Sequence, residues 1–266
     1  MTRYMGILNV TPDSFFDGGR FFNPDDALLH AKALFDEGAD IVDIGGMSTR
    51  PGFEEISPEE ELSRILPVLE KINVPEGREI SIDTYRADVA EACLEVGCDI
   101  INDITAMDDP YMAGVISDFD AKVVLMYNRR LDENKTDDVV ADCKEFLLRR
   151  IDMALAHGIE TDKISIDPGI GFGTTRREDA ELTLNLKAIN PYEFPIVYGC
   201  SKKRFVQGLD TQNATGVVNA FAVLQGAQTV RVHDVSEVKA FIDKVTAEGG
   251  TEEFMRRTRE AIECIK

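Results

Sequence analysis

The sequence predicts an α/β fold: a single (β/α)8 TIM barrel domain spanning residues 1–266, with its working surface at the C-terminal ends of the strands. Short β-rich apolar runs recur eight times, and most are followed by an amphipathic stretch long enough for a helix. The runs are nearly continuous in apolar residues, as strands buried on both faces of a parallel sheet must be. Eight strand-helix units in about 250 residues fit a closed barrel better than an open sheet.

The first strand is YMGILNV (4–10), and the loop NVTPDSFFDGGR (9–20) follows it. Oxygen ligands, an X-Pro turn and paired glycines suit a loop that closes over a substrate. The helical pattern DDALLHAKALFDEG (25–38) leads to the second strand, ADIVDIG (39–45). GGMSTRPG (45–52) comes next, with a composition that lets backbone approach an anion closely. SPEEELSRILPVLEKI (57–72) then starts a helix at a Ser-Pro cap. EISIDT (79–84) and DIINDI (99–104) are the third and fourth strands, on either side of the helix RADVAEACLEVG (86–97).

AKVVLMY (121–127) is the fifth strand and precedes the helix DDVVADCKEFLLRRIDMALAHG (137–158). The sixth, KISIDPG (163–169), runs into IDPGIGFG (166–173), where three glycines surround Phe172 and present one aromatic face. FPIVYG (194–199) is the seventh strand, and CSKKRF (200–205) reads as a helix start capped by Ser201, whose amides and basic residues attract an anion. TVRVHD (229–234) is the eighth strand, and residues 236–266 read as a final amphipathic helical region.

Forty-nine acidic against 29 basic residues give a formal charge of −20, a field that repels nucleic acid and anionic membranes and leaves small molecules as the expected partners. The first ten residues lack a signal-peptide pattern and no run reaches the length of a membrane span, so the expected location is the cytoplasm. Five cysteines without a C-x-x-C pair read as reduced, buried thiols.

Polar residues at the strand ends carry the chemistry. Asp83 and Asn102 follow apolar runs, where unpartnered polar groups are costly, and Asp43, Asp167, Lys203, Arg231 and His233 stand at or just after other strand ends. In a barrel all of them reach one mouth. Asp83, Asn102 and Asp167 supply acceptors for a flat heterocycle with several N–H donors, such as a 2-amino-4-oxo-pteridine or guanine. Arg50, Lys203, Arg231 and His233 are donors suited to phosphate or carboxylate oxygens.

The ordered set MGILNVTPDSFFDGG, DIGGMSTRPG, ISIDT, IINDI, DPGIGFG, GCSKKRF and RVHDV resembles the dihydropteroate synthase family over residues 5 to about 235. That resemblance implies a homodimeric, Mg²⁺-dependent, sulfonamide-sensitive enzyme of folate biosynthesis. Such an enzyme joins 4-aminobenzoate to a dihydropterin methyl diphosphate and releases diphosphate. By resemblance, Asp83, Asn102, Met126, Asp167 and Lys203 bind the pterin. Asn9 is the metal and diphosphate residue, and Arg50, Arg231 and His233 complete the diphosphate clamp. Thr49, Pro51, Phe172, Ser201 and Arg204 line the aminobenzoate side. Asp83, Lys203, Arg231 and His233 are the implied catalytic set.

The chain departs from the family pattern at Met47 for Glu, Tyr127-Asn128 for His-Met, Thr174 for Lys, Lys202 for Arg and Arg204 for Ser. Arg204 either supplies a carboxylate contact or narrows the second-substrate site. Two alternatives stand beside the synthase reading: a pterin-binding paralogue without synthase activity, and a pterin-dependent methyltransferase. The latter needs no diphosphate clamp, so the first loop, Lys203 and the RVH cluster weigh against it.

Overall fold

The computed structural model describes residues 2–11, 23–47, 55–209, 213–247 and 251–265. Within them run β1 (Arg3–Asn9), α1 (Pro24–Asp36), β2 (Ile41–Gly45), α2 (Pro58–Leu69), β3 (Glu79–Asp83), α3 (Ala87–Val96), β4 (Ile100–Asp103), α4 (Met112–Asp118) and β5 (Lys122–Met126). There follow α5 (Val139–Ala156), β6 (Ile164–Asp167), α6 (Arg176–Leu184), α7 (Leu186–Ile189), β7 (Val197–Tyr198), α8 (Ala214–Leu224), β8 (Thr229–Val232), α9 (Val235–Ala247) and α10 (Thr251–Glu263). Every expected strand overlaps the run that predicts it. The expected terminal helical region is two helices, α9 and α10.

Local chemistry explains the helix starts. Asn23 accepts from the Asp25 amide ahead of Pro24, Ser57 accepts from Glu60 ahead of Pro58, and Asp138 accepts from Ala141. Each satisfies an amide that the first helical turn leaves without a partner. At α6 the cap is reciprocal, with Thr175 accepting from the Glu178 amide and Glu178 accepting from the Thr175 amide.

The strands pair in parallel in the order β6-β5-β4-β3-β2-β1-β8-β7. A parallel bridge between Ile166 and Ile196 joins β6 to the segment entering β7 and closes the barrel. That seam is thin because Pro195, beside the bridge, has no amide hydrogen to give; its carbonyl accepts from the Ile166 amide at 2.9 Å.

Alternation along the strands sorts the side chains into two populations. Outward residues such as Leu8, Val42, Ile82, Ile101, Leu125 and Val230 join the large core beneath the helices. Inward, Met5, Ile41, Ile100, Val124 and Val197 form a separate small cluster that plugs the barrel. Below the plug, Arg3 and Lys122 both pair with Glu79. Above it, the same inward parity carries Asp43, Asp83, Asn102, Met126 and Asp167 to the opposite mouth.

Candidate active site

Arg231 is the centre of the mouth. Its Nε donates to Asp43 Oδ2 at 2.6 Å and its Nη2 donates to Asp83 Oδ2 at 2.6 Å. Asn102, in register with Asp83, donates from Nδ2 to the same Asp43 oxygen at 3.2 Å. Asp43 is fully buried. Its strand-end position alone assigns it no role; the usable signal is its inward parity, which matches that of Ser81, its register partner, and hence of Asp83.

Among the described residues, three buried acceptors at this level, Asp43 Oδ1, Asp83 Oδ1 and Ser81 Oγ, have no hydrogen-bond partner. Buried acceptors without partners are rare and costly, so this pocket is chemically ready for a ligand rich in N–H donors. Met126 is buried and in register with Asp167, so an apolar side chain lies beside the carboxylates where a flat ring can pack.

Asp167 accepts from the Gly169 amide at 2.7 Å. Gly169 has φ of 69°, and a Cβ there would lie 1.7 Å from the Tyr127 carbonyl oxygen, so only glycine makes this turn. Lys203 reaches over the loop after β6, donating from Nζ to the Ile170 carbonyl at 2.5 Å and lying 5.0 Å from the Phe172 ring centroid. Phe172 is half-buried and belongs to the mouth, as an aromatic wall.

Burial and charge set the proton affinities. Burial raises the Asp83 carboxyl to about 7, with Arg231 opposing the rise and Asp43 adding to it. Burial likewise raises Asp167, against Lys203 and the Gly169 amide. Lys203 is lowered from its ordinary value by burial, with Asp167 opposing and Arg231 reinforcing the shift. Burial works against the charge of Arg231, but Asp43 and Asp83 outweigh it and hold the guanidinium above its usual range. The mouth thus sets the Arg231 and Lys203 side chains among those of Asp43, Asp83 and Asp167, and burial works against charge on Asp83, Asp167 and Lys203.

Asn9 ends β1 in register with Gly45. A Cβ on Gly45 would lie 3.5 Å from Asp83 Cβ and 3.8 Å from Asn9 Oδ1, so this glycine keeps the space between them open. His233 follows β8 and hydrogen-bonds through Nδ1 to Ser201 Oγ at 2.9 Å. Ser201, Lys203 and His233 share a cavity of about 430 Å³. A larger one, about 630 Å³, lies over the connections after β5 and β6, between Arg130, Lys135 and Thr175, and takes none of the mouth residues.

One expectation fails here. No helix begins at Ser201: residues 201–205 are turns, and the next α-helix starts at Ala214 behind an Asn213 cap. Lys202 has φ of 59°, a left-handed conformation that a right-handed helix cannot pass through. Ser201 therefore caps nothing and spends its hydroxyl on His233. Arg204 is exposed. Thr49, Arg50 and Pro51 lie outside the described residues, as does most of the loop after β1.

Several departures from the family pattern have structural roles. Tyr127 is fully buried, stacks edge-on with Phe146 at 5.3 Å and accepts from Arg129. Asn128 donates to the Ile104 carbonyl at 3.2 Å. Thr174 donates to Asp179 at 2.6 Å and accepts from the Gly171 amide, bracing the glycine-rich turn. Met47 is buried.

Comparison with known proteins gives the same answer as the site. The family model described as "Pterin binding enzyme" matches residues 5–233. The dihydropteroate synthase of Staphylococcus haemolyticus is 42% identical over 243 residues, covering 88% of this chain and 90% of its own. A dihydropteroate synthase from Clostridium difficile, solved in the presence of pteroic acid, is 38% identical, with a TM-score of 0.83 over 92% of this chain and 96% of its own. The Xanthomonas albilineans dihydropteroate synthase with 4-aminobenzoic acid is 36% identical, with a TM-score of 0.85 over 94% of this chain and 93% of its own. With a barrel mouth of buried carboxylates around one arginine, and matched over most of its length in this way, the chain belongs to the pterin-binding enzyme family as a member of the dihydropteroate synthases.

Proposed function

We propose that this protein condenses (7,8-dihydropterin-6-yl)methyl diphosphate with 4-aminobenzoate, giving 7,8-dihydropteroate and diphosphate. The observation that carries this is the pair of buried acceptors without partners, Asp43 Oδ1 and Asp83 Oδ1, on either side of Arg231. The acceptors call for a ligand with N–H donors, and the Arg231 guanidinium between them suits an anion at its other end.

In this reading Asp83, Asn102, Asp167, Lys203 and Met126 hold the pterin ring, with Asp43 added to the set. Arg231, His233, Asn9 and Arg50 hold the diphosphate. Thr49, Pro51, Phe172, Ser201 and Arg204 form the aminobenzoate side. The bond from the methylene carbon to the diphosphate oxygen breaks, and its electron pair leaves with the diphosphate. The aniline nitrogen forms the new bond to carbon and gives up a proton. Arg231 neutralises charge that grows on the leaving group, which lowers the barrier because the guanidinium is already in place. The electron-rich ring spreads positive charge on the methylene carbon, and the carboxylates around it favour that charge. An aniline needs no activated nucleophile on the protein.

Mg²⁺ fits this donor set in the way it fits other phosphate sites, through one or two protein oxygens and the substrate's phosphates. Asn9 offers its amide oxygen at the rim, beside the gap that Gly45 keeps open. When bound, the ion would help neutralise the leaving diphosphate. The reading also includes one domain over residues 1–266, a cytoplasmic location and a homodimer. The single sheet with strands from Arg3 to Val232 supports the first; the location is the expectation drawn from the sequence pattern, and the homodimer rests on the family resemblance.

The test is diphosphate release from the dihydropterin methyl diphosphate with Mg²⁺, with and without 4-aminobenzoate, while dihydropteroate is followed by chromatography. Equal amounts of diphosphate and dihydropteroate are expected, dependent on 4-aminobenzoate. Binding of the pterin diphosphate with no product would overturn the reading.

A further inference from the structure

The loop after β6 turns tightly between Gly169 and Phe172, closed by the Phe172 amide donating to the Gly169 carbonyl at 3.0 Å. Its central peptide links Ile170 to Gly171, with a positive φ of 81° at Gly171 but not at Ile170. That combination is a type II turn, and rotating the central peptide by about 180° gives the type I turn with the same closing bond. Gly171 can adopt either, because glycine takes both signs of φ. The orientation of this one peptide is therefore a two-way choice that the turn itself does not settle.

Side chains from elsewhere in the fold settle it. On one side the Gly171 N–H donates to Asp179 Oδ1 at 2.8 Å. Thr174 Oγ1 accepts from the same amide at 3.0 Å while donating to Asp179 Oδ1 at 2.6 Å. On the other side, the Ile170 carbonyl of the same peptide accepts from Lys203 Nζ at 2.5 Å. We propose that Asp179 is a positioning residue for Lys203, holding the Ile170–Gly171 peptide so that its carbonyl faces and anchors the ammonium. This rests on the pterin-binding role proposed for Lys203 above.

The roles at both ends of the peptide are fixed by chemistry: an amide N–H and an ammonium only donate, and a carbonyl only accepts. In the type I orientation the N–H would meet Lys203, donor against donor, and the carbonyl would meet Asp179 Oδ1, acceptor against acceptor. Asp179 is buried, and it stands one residue past the reciprocal cap between Thr175 and Glu178 that locks the start of α6. Thr174 shares the amide, but its hydroxyl is itself held by Asp179. The stem of Lys203 packs closely on the turn, since a Cβ on Gly171 would lie 3.3 Å from Lys203 Cδ, and its ammonium lies 5.0 Å from the Phe172 ring centroid. Losing the carbonyl anchor therefore frees Lys203 from the place where the proposed pterin site needs it.

Isoleucine followed by glycine occurs twice in the chain, at Ile44–Gly45 and Ile170–Gly171. Labelling isoleucine at its carbonyl carbon and glycine at its nitrogen therefore isolates two peptide signals, and Ile44→Val removes the other one. The Gly171 amide proton is expected downfield in the unaltered protein, bonded to a carboxyl oxygen, and is expected to move upfield in Asp179→Ala. Calorimetry with the dihydropterin methyl diphosphate should show affinity falling roughly three- to tenfold in Asp179→Ala, the range of one lost hydrogen bond. In a Lys203→Met background the same substitution should bring no further loss, because its effect runs through Lys203. Asp179→Asn keeps an accepting oxygen and should preserve both readouts. An unmoved Gly171 signal or an unchanged affinity in Asp179→Ala would overturn the inference, as would a loss of equal size with and without Lys203. Loss of either readout in Asp179→Asn would overturn it too, and that variant decides the matter if Asp179→Ala does not fold. An unaltered protein with no affinity for the pterin diphosphate would overturn the proposed function instead, and the Gly171 signal in the same samples would still decide whether Asp179 holds the peptide.

Discussion

Arg231 donates to Asp83 at 2.6 Å across the barrel mouth, joining the eighth strand to the third between residues 148 positions apart. The contact ties the half of the pocket that suits a ring to the half that suits an anion. It also makes each charge depend on the other for its place in a buried site.

Removing the cation should therefore be costly before any substrate is present. Arg231→Met leaves Asp43 and Asp83 buried without their counter-charge, and the expected loss is about 3–5 kcal/mol of unfolding free energy. Urea unfolding at about pH 8 measures it, and adding Asp83→Asn should recover part. A loss under about 0.5 kcal/mol would mean that the pair contributes no more than an exposed one.

Asp83 should give stability a pH dependence of known sign. Its folded value of about 7 lies above the ordinary 3.8. Its stabilising contribution is therefore complete below the unfolded value and is lost as pH rises through the folded one. Asp83→Asn should flatten the stability profile between about pH 4 and pH 7. Asp103 and Asp167 are also raised by burial and would keep their own share of the slope.

For ligand binding, the role proposed for Asp83 predicts that Asp83→Ala removes a charge-assisted contact to the ring. Affinity for the pterin diphosphate should fall by about 1.5–3 kcal/mol, read by calorimetry. A near-normal affinity would take Asp83 out of the ring site.

Gly169→Ala tests the turn that presents Asp167. The new methyl would meet the Tyr127 carbonyl oxygen at 1.7 Å in a left-handed conformation. Overpacking and backbone strain together should cost about 2–5 kcal/mol. The melting temperature should drop, while Gly208→Ala, with open space around its Cβ position, serves as a tolerant control.

Arg86 holds the return of the connection after β2. It donates to Glu61 at 2.6 Å, to the Ile56 carbonyl at 2.7 Å and to Glu55 at 3.0 Å, and Glu61 is fully buried. Arg86→Met should cost about 3 kcal/mol by leaving a buried carboxylate without its partner. Glu61→Gln added to it should be less damaging than the two losses summed, which a double-variant cycle by urea unfolding would reveal.

Much of this molecule is legible in the linear chain because its cues are local. Eight short, nearly continuous apolar runs specify strands buried on both faces, and capping residues before acidic first turns specify helices. The polar residues that end those runs therefore had to arrive at one rim, and Asp83, Asn102, Asp167 and Arg231 do. Sequence reading failed where a single backbone angle decides, as at Lys202, whose left-handed turn removes the helix that CSKKRF suggests.

The sequence by itself determined the barrel, its polarity and the chemical character of its mouth, since burial patterns and strand ends are properties of neighbours along the chain. Only the tertiary structure decided which partners meet: Arg231 with Asp43 and Asp83, Ser201 with His233, Ile166 with Ile196 at the closing seam. Those pairings follow from strand register around a closed sheet. A shift of one residue would turn the inward Arg231, Asp43 and Asp83 into the apolar layer under the helices, and that choice is made by the packing of the whole barrel.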